Sequence, residues 1–167
     1  MTQGAKQSAT LLILLDDPSA TNQMKVLLLK RSAHSRFLPN ALVFPGGGAE
    51  DSDLDYARQY LSQPTLQRST DNWLEWGFPT AEAAQRSLGT ALRETYEECG
   101  LRIMTDSELS FDAPRCVAHW LTPFALKRRF DTYFWGIMIR PPVSPLTVDT
   151  VEVSEAQWWN PAEALRA

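Results

Sequence analysis

The chain has 167 residues, 44% of them hydrophobic and 22% charged, which fits one soluble globular domain spanning residues 1–167 with a core of ordinary size. A net charge of −4 speaks against a nucleic-acid partner, and two cysteines, Cys99 and Cys116, make neither a disulfide framework nor a metal spacing. The apolar run Leu11 to Leu15 is too short to span a membrane and Asp16-Asp17-Pro18 is no cleavage site, so no membrane partner and a cytoplasmic location are expected.

Ala9 to Leu15 and Met24 to Lys30 are apolar runs of strand length around the turn-rich Asp16–Asn22, and they predict a hairpin. Ala41 to Phe44 is a short extended run ending in Pro45-Gly46-Gly47-Gly48. Three glycines in a row predict neither helix nor central strand: they make a sharp turn, or they let the backbone approach a ligand closely. Glu50 to Tyr60 reads as a short helix, and Ser62 to Phe78, punctuated by Pro64 and Gly77, reads as irregular. Within that stretch Trp73 and Trp76 pin the loop to the body, or serve as a substrate lid or dimer contact.

The spacing then predicts a helix over residues 81–98, with Thr80 as N-cap and Gly100 as its left-handed stop. At 3.6 residues per turn, Glu94, Glu97 and Glu98 share an arc of roughly 100°. Ala84, Leu88, Ala91, Thr95 and Cys99 share the neighbouring arc and form a core-facing stripe. Arg93 reaches Glu97, and Arg102 is placed to reach Glu98 from beyond the glycine. Such a cluster is either a solvated acidic face or a seat for a hard divalent cation. Cys116 to Leu121, Arg129 to Ile139 and Val151 to Trp158 read as further strands, and Pro161 opens a terminal helix. Strands before, between and after one long helix imply an α/β fold with a mixed sheet.

Several other polar groups invite a role. Arg31, Lys127, Arg128 and Arg129 stand beside predicted strand ends, where Arg suits bidentate phosphate contacts; pairing with Asp131 or Asp149 is the alternative. Glu152 and Glu155 are either surface charges or, with Glu94 and Glu97, candidates for the base that accepts a proton from an attacking water. Tyr133, Trp135 and Trp120 are core residues or stacking surfaces for a base. His34 and His119 have no second ligand at metal spacing and read as structural or surface residues, and Cys99 reads as buried and inert.

Arg93-Glu94-x-x-Glu97-Glu98-x-Gly100-Leu101 resembles the second half of the Nudix box, and Phe44-Pro45-Gly46-Gly47 resembles the first. Five residues separate Gly47 from Asp53, which stands at a position where the family has glutamate, and Thr95 replaces an aliphatic residue. Between Asp53 and Arg93 lie 39 residues where the common box has seven, so the box carries an insertion, placed at about 54–80. Such an interrupted box resembles the branch that includes peroxisomal coenzyme A diphosphatases. Leu29-Lys30-Arg31-Ser32, Phe37-Leu38-Pro39, Trp120-Leu121-Thr122-Pro123, Arg128–Phe134 and Trp158-x-x-Pro161-x-x-Ala164-Leu165 share that resemblance.

The resemblance implies a Nudix fold, a mixed β-sheet between helices. It also implies that Glu94, Glu97 and Glu98 hold Mg²⁺ or Mn²⁺ with a backbone carbonyl of Gly46, that Arg93 orients the glutamates, and that Asp53 has an outer role. The implied catalytic set is Arg93, Glu94 and Glu97, with Arg31, Arg128 and Arg129 toward substrate. The activity implied is hydrolysis of a nucleoside diphosphate linked to another moiety, with coenzyme A or an acyl-coenzyme A first. ADP-ribose, dinucleotides and sugar nucleotides are the alternative substrates, and a nucleotide-binding module without catalysis is the alternative class. Retention of all four box residues favours catalysis. Many members of the family dimerise, so a homodimer is among the expected assemblies.

Overall fold

The computed structural model of the protein describes residues 4–19, 24–35, 38–105, 107–148 and 151–166. Phe37, Asp149 and the Thr21–Asn22 end of the first loop lie outside the described residues. Strand β1 (Lys6–Asp16) buries Ala9, Leu11, Ile13 and Leu15 and leaves their neighbours part-exposed, the period-two signature of a strand with one face on a core. It pairs antiparallel with β2 (Met24–Arg31), Leu14 opposite Val26, as the two apolar runs predicted.

Strand β3 (Leu42–Val43) lies on β2, and the glycine run is itself a short strand, β4 (Gly46–Gly48), laid antiparallel on Ser8–Thr10 of β1. The sequence predicted a sharp turn or a backbone open to a ligand here, and neither helix nor central strand. The strand needs glycine for lack of space: a Cβ on Gly46 would meet the Ala9 carbonyl oxygen at 2.5 Å.

The first inserted helix, α1 (Asp53–Tyr60), matches its prediction, whereas α2 (Gln63–Thr70) corrects the expectation of irregular chain over 62–78. Pro64 sits in the first turn of α2, where its missing N–H breaks no helical hydrogen bond, so it opens a helix here and does not interrupt one. Beyond α2, Trp73 and Trp76 are part-buried against the core.

Helix α3 (Ala81–Cys99) has the predicted ends: Thr80 Oγ1 accepts from the Ala83 amide at 3.1 Å, and Gly100 stops the helix at φ 71°. Ala84, Leu88, Ala91, Thr95 and Cys99, the stripe read from spacing, are all fully buried. Gly89 allows α1 to cross closely, since a Cβ there would run into the carbonyl oxygen of Asp53.

The remaining elements are β5 (Ser110–Phe111), β6 (Arg115–Leu121), β7 (Phe130–Arg140), β8 (Val153–Trp159) and α4 (Pro161–Ala164). β7 runs parallel to β1 from Lys6 opposite Phe130 to Leu15 opposite Ile139, and β6 folds back antiparallel on β7. The sheet order is β3-β2-β1-β7-β5, with β4 on β1, β6 on β7 and β8 on β2. A parallel pair flanked by antiparallel ones makes the sheet mixed, as expected. The buried residues of β1, β7 and α3 form one core between sheet and helix. Among the described residues no helix is long and apolar enough to cross a membrane.

Candidate active site

Packing the stripe of α3 on β1 turns the adjoining acidic arc toward β4, because the two arcs are neighbours on one helix. Arg93, 7% exposed, is the hub of the resulting cluster. Its Nε donates to Asp53 Oδ1 at 2.7 Å, and its Nη2 to the Gly48 carbonyl at 2.9 Å. Its Nη1 donates to Glu97 Oε2 at 2.8 Å and to Glu94 Oε1 at 3.1 Å. One rigid, always-charged fork thus ties the long helix, the glycine strand and the start of the insertion together. Asp53 is fully buried and also accepts from Thr90 Oγ1 at 2.6 Å and from the Glu50 amide at 2.8 Å. The outer role expected of Asp53 is compatible with its place as the buried anchor of Arg93, a contact that the 39 intervening residues hid.

Glu98 approaches the glycine strand from the next turn, and its Oε2 accepts the Gly46 amide at 2.9 Å. Burial pushes its carboxyl up to about 7; Glu94 and Glu152 push the same way, against the Gly46 hydrogen bond and Arg31. Burial also raises Glu94, opposed by Arg93. Gly47 has no side chain because the Glu94 carboxylate fills the space its Cβ would take.

Among the described residues no three His, Cys, Asp or Glu side chains converge as a ready-made metal cage. Arg93 engages Glu94 and Glu97, and the Gly46 amide engages Glu98. The donor set nonetheless fits a hard divalent cation. It offers carboxylate oxygens, two of them raised by burial, with one arginine shared between Glu94, Glu97 and Asp53.

Arg31 lies close enough to Glu98 to favour its ionised form, and its Nε and Nη2 donate to Ser35 Oγ at 3.1 and 2.9 Å. Arg128 is exposed in the turn between β6 and β7. Arg129 is buried beneath Phe124, its guanidinium carbon 3.8 Å from the ring centroid, and donates to the Thr122 carbonyl. Glu152 acts on Glu98, whereas Glu155 lines a separate cavity with Lys30, Asn40 and Trp159. Arg102 corrects its prediction: it lies over the rings of Tyr96 and Tyr60, at 4.0 and 5.0 Å, and makes no ion pair with Glu98. Cys99 is buried, with its thiol pushed up to about 11, in keeping with an inert core residue.

Beside the cluster runs a cleft of about 490 Å³ lined by Lys6, Gly48, Glu50, Arg86, Glu94 and Phe130. Sequence reasoning missed Lys6 and Arg86. For Arg86 a signal was present, since it precedes Glu94 by eight residues and therefore shares its helix face. Lys6 comes in only through the β1–β4 pairing.

No protein-family model matches the chain. It is 28% identical over 87% of its length to the acyl-coenzyme A diphosphatase NUDT19 of Xenopus laevis, covering 55% of that protein. It is 27% identical over 96% of its length to the peroxisomal coenzyme A diphosphatase ndx-8 of Caenorhabditis elegans, covering 50% of it. The chain therefore spans about half the length of the curated relatives it matches. A NUDIX hydrolase from Alicyclobacillus acidocaldarius superposes with a TM-score of 0.70 at 25% identity, over 96% of this chain and 81% of that one. With the divided box gathered around Arg93, the chain shares its fold with that NUDIX hydrolase and resembles in sequence the acyl-coenzyme A and coenzyme A diphosphatases.

Proposed function

We propose that the protein is a Mg²⁺- or Mn²⁺-dependent hydrolase that splits the diphosphate of a nucleoside diphosphate linked to another moiety, with coenzyme A or an acyl-coenzyme A as first substrate. The observation that carries this reading is the Arg93 hub, which holds Glu94 and Glu97 beside Gly48 while Glu98 docks on Gly46. The printed names of the relatives, acyl-coenzyme A and coenzyme A diphosphatases, support the choice of substrate.

Glu94, Glu97, Glu98 and the Gly46 carbonyl would hold the cations. Bound there, divalent ions neutralise phosphate oxygens and lower the pKa of a water. The chain's own residues do the rest. Arg93 orients two of the carboxylates, and Lys6 and Arg86 supply positive charge along the cleft that contains Glu94, where a polyanionic substrate needs it. Hydrolysis adds water oxygen to one phosphorus, breaks the bridging P–O bond and requires an acceptor for the water proton. Of the two late-loop glutamates, Glu152 is the one whose charge is felt by Glu98, so it takes precedence over Glu155 as that acceptor, alongside Glu94 and Glu97.

A panel of coenzyme A, ADP-ribose, NADH and UDP-glucose, incubated with Mg²⁺ or chelator and read by mass spectrometry, tests the proposal. The expected products from coenzyme A are 3′-phosphoadenosine 5′-phosphate and phosphopantetheine. Cleavage of ADP-ribose without turnover of coenzyme A would remove the substrate assignment. Nucleotide binding without turnover of any compound would leave a binding module. Glu97→Gln should lower the Mg²⁺-dependent rate by about a hundredfold or more, and an unchanged rate would reject the metal-site assignment.

A further inference from the structure

A second cavity of about 650 Å³ lies between the end of the insertion, the start of α3 and the paired strands β6 and β7. Phe78, Thr80, Glu82, His119, Asp131 and Tyr133 are on its walls. Gln7, Ala49 and Arg86 line both this cavity and the cleft that holds Glu94, so the two are continuous around them.

Three rings form a stack in it. Phe78 lies on one face of Tyr133 with centroids 3.9 Å apart, and His119 lies on the other at 4.1 Å and 3° from parallel. Phe78 is 4% exposed and closes the stack, whereas the His119 side chain is 32% exposed and leaves it open. The imidazole is fixed in that orientation by Asp131, a buried carboxylate 2.5 Å from Nε2.

The register measures how far this platform is from the chemistry. Gly47, which packs against Glu94, is opposite Ala9; Ala9 is beside Tyr133; and Tyr133 is opposite His119. Three strand spacings separate Gly47 from His119, roughly 14 Å. That is too far for proton transfer to the reacting phosphate, and it is the scale of the nucleoside that hangs from the diphosphate.

We infer that this cavity is the base-recognition pocket of the enzyme, taking an amino-bearing nucleobase, adenine, stacked on the open face of His119. The inference rests on the hydrolase reading for the position of the diphosphate. Asp131 and Glu82 on the walls are hydrogen-bond acceptors, so they suit an exocyclic amino group and disfavour both a bare anion and the carbonyl that uracil presents in its place. The pocket also gives the interrupted box a purpose, because Phe78 and Thr80 belong to the end of the inserted segment.

The test is binding of free ADP and UDP in the presence of Mg²⁺, followed by isothermal titration calorimetry on the intact chain and its variants. Wild-type protein should bind ADP about tenfold or more tighter than UDP. His119→Ala should weaken ADP about tenfold, the size of one lost base–aromatic stack, and leave UDP within twofold. His119→Phe, which keeps a stacking face, should restore ADP affinity, which a merely structural role for the histidine would not produce. On a cleaved adenine substrate, His119→Ala should raise KM with kcat little changed. Equal affinity for ADP and UDP, or an ADP affinity indifferent to His119→Ala, would overturn the pocket. If ADP binds through His119 while no diphosphate ester is cleaved, the hydrolase reading fails and the pocket stands. If esters are cleaved with the same KM in His119→Ala, the pocket fails and the hydrolase stands.

Discussion

Replacing Asp53 by asparagine removes one charge and keeps the shape, at the point where the insertion meets the box. The Asp53 carboxylate is fully buried and accepts from Arg93 at 2.7 Å, Thr90 at 2.6 Å and the Glu50 amide at 2.8 Å. An amide retains one acceptor oxygen and turns an NH₂ group toward donors. Breaking a buried pair by removing one partner costs about 3–5 kcal/mol. Here the cost falls toward the lower end, about 3 kcal/mol, because Glu94, Glu97 and the Gly48 carbonyl still hold Arg93. At about 2–4 °C per kcal/mol for a chain of this size, Tm should fall by roughly 10 °C. Urea unfolding followed by circular dichroism gives the free-energy change, and hydrolysis assays give kcat. The rate should fall with stability, since Arg93 loses its fixed end and with it the orientation of two carboxylates. An Asp53→Asn protein within about 0.5 kcal/mol of wild type, with unchanged kcat, would refute the reading of Asp53 as anchor.

Other substitutions probe the remaining contacts. Glu98 is raised from 4.5 to about 7, so its protonated form stabilises the cation-free protein below about pH 4.5, and that contribution is lost as pH rises through 7. Lowering the pH from 8 to 6 in chelator should therefore stabilise wild type over Glu98→Gln by about 1 kcal/mol, measured by urea unfolding, and the difference should shrink when Mg²⁺ is added. Gly89→Ala adds helix propensity but drives a methyl group into the Asp53 carbonyl, so it should destabilise by about 1–3 kcal/mol, checked by thermal melting. A melting temperature equal to or above wild type would show that α1 is free to move off. Gly47→Ala should push the Glu94 carboxylate out of its place and lower kcat by tenfold or more while the melting temperature moves little, because the displaced group is the flexible end of a side chain.

Local chemistry sufficed for much of this chain. The five-residue stripe on α3, its Thr80 cap and its Gly100 stop follow from spacing and from single-residue conformational preference, and each is in place. The hairpin β1–β2 and the aromatic strand β7 follow from apolar runs of strand length. The acidic arc of Glu94, Glu97 and Glu98 was legible for the same reason, since a helix of known phase places its residues without reference to the rest of the fold. Pro64 shows where that logic divides: the same residue marks a break or a first turn, and only the packing of Leu66 into the core selects the helix.

Contacts between segments distant in sequence have another origin. Arg93 meets Asp53 across the whole insertion because Gly89 lets α1 cross α3 in close contact. The glycine run became a strand because β1 offered it an unpaired edge, and that pairing is what sets the Gly46 amide against Glu98 and the Gly48 carbonyl against Arg93. His119 read as a structural or surface residue with no partner in view, since Tyr133 stands opposite it, and Asp131 two residues along, only once β6 folds back on β7. Residue spacing was enough to say which side chains could bear charge on one helix face. Folding chose the backbone atoms, the buried carboxylate and the ring stack to which that face is joined, because strand register and helix crossing are properties of the assembled chain and of no single stretch in it.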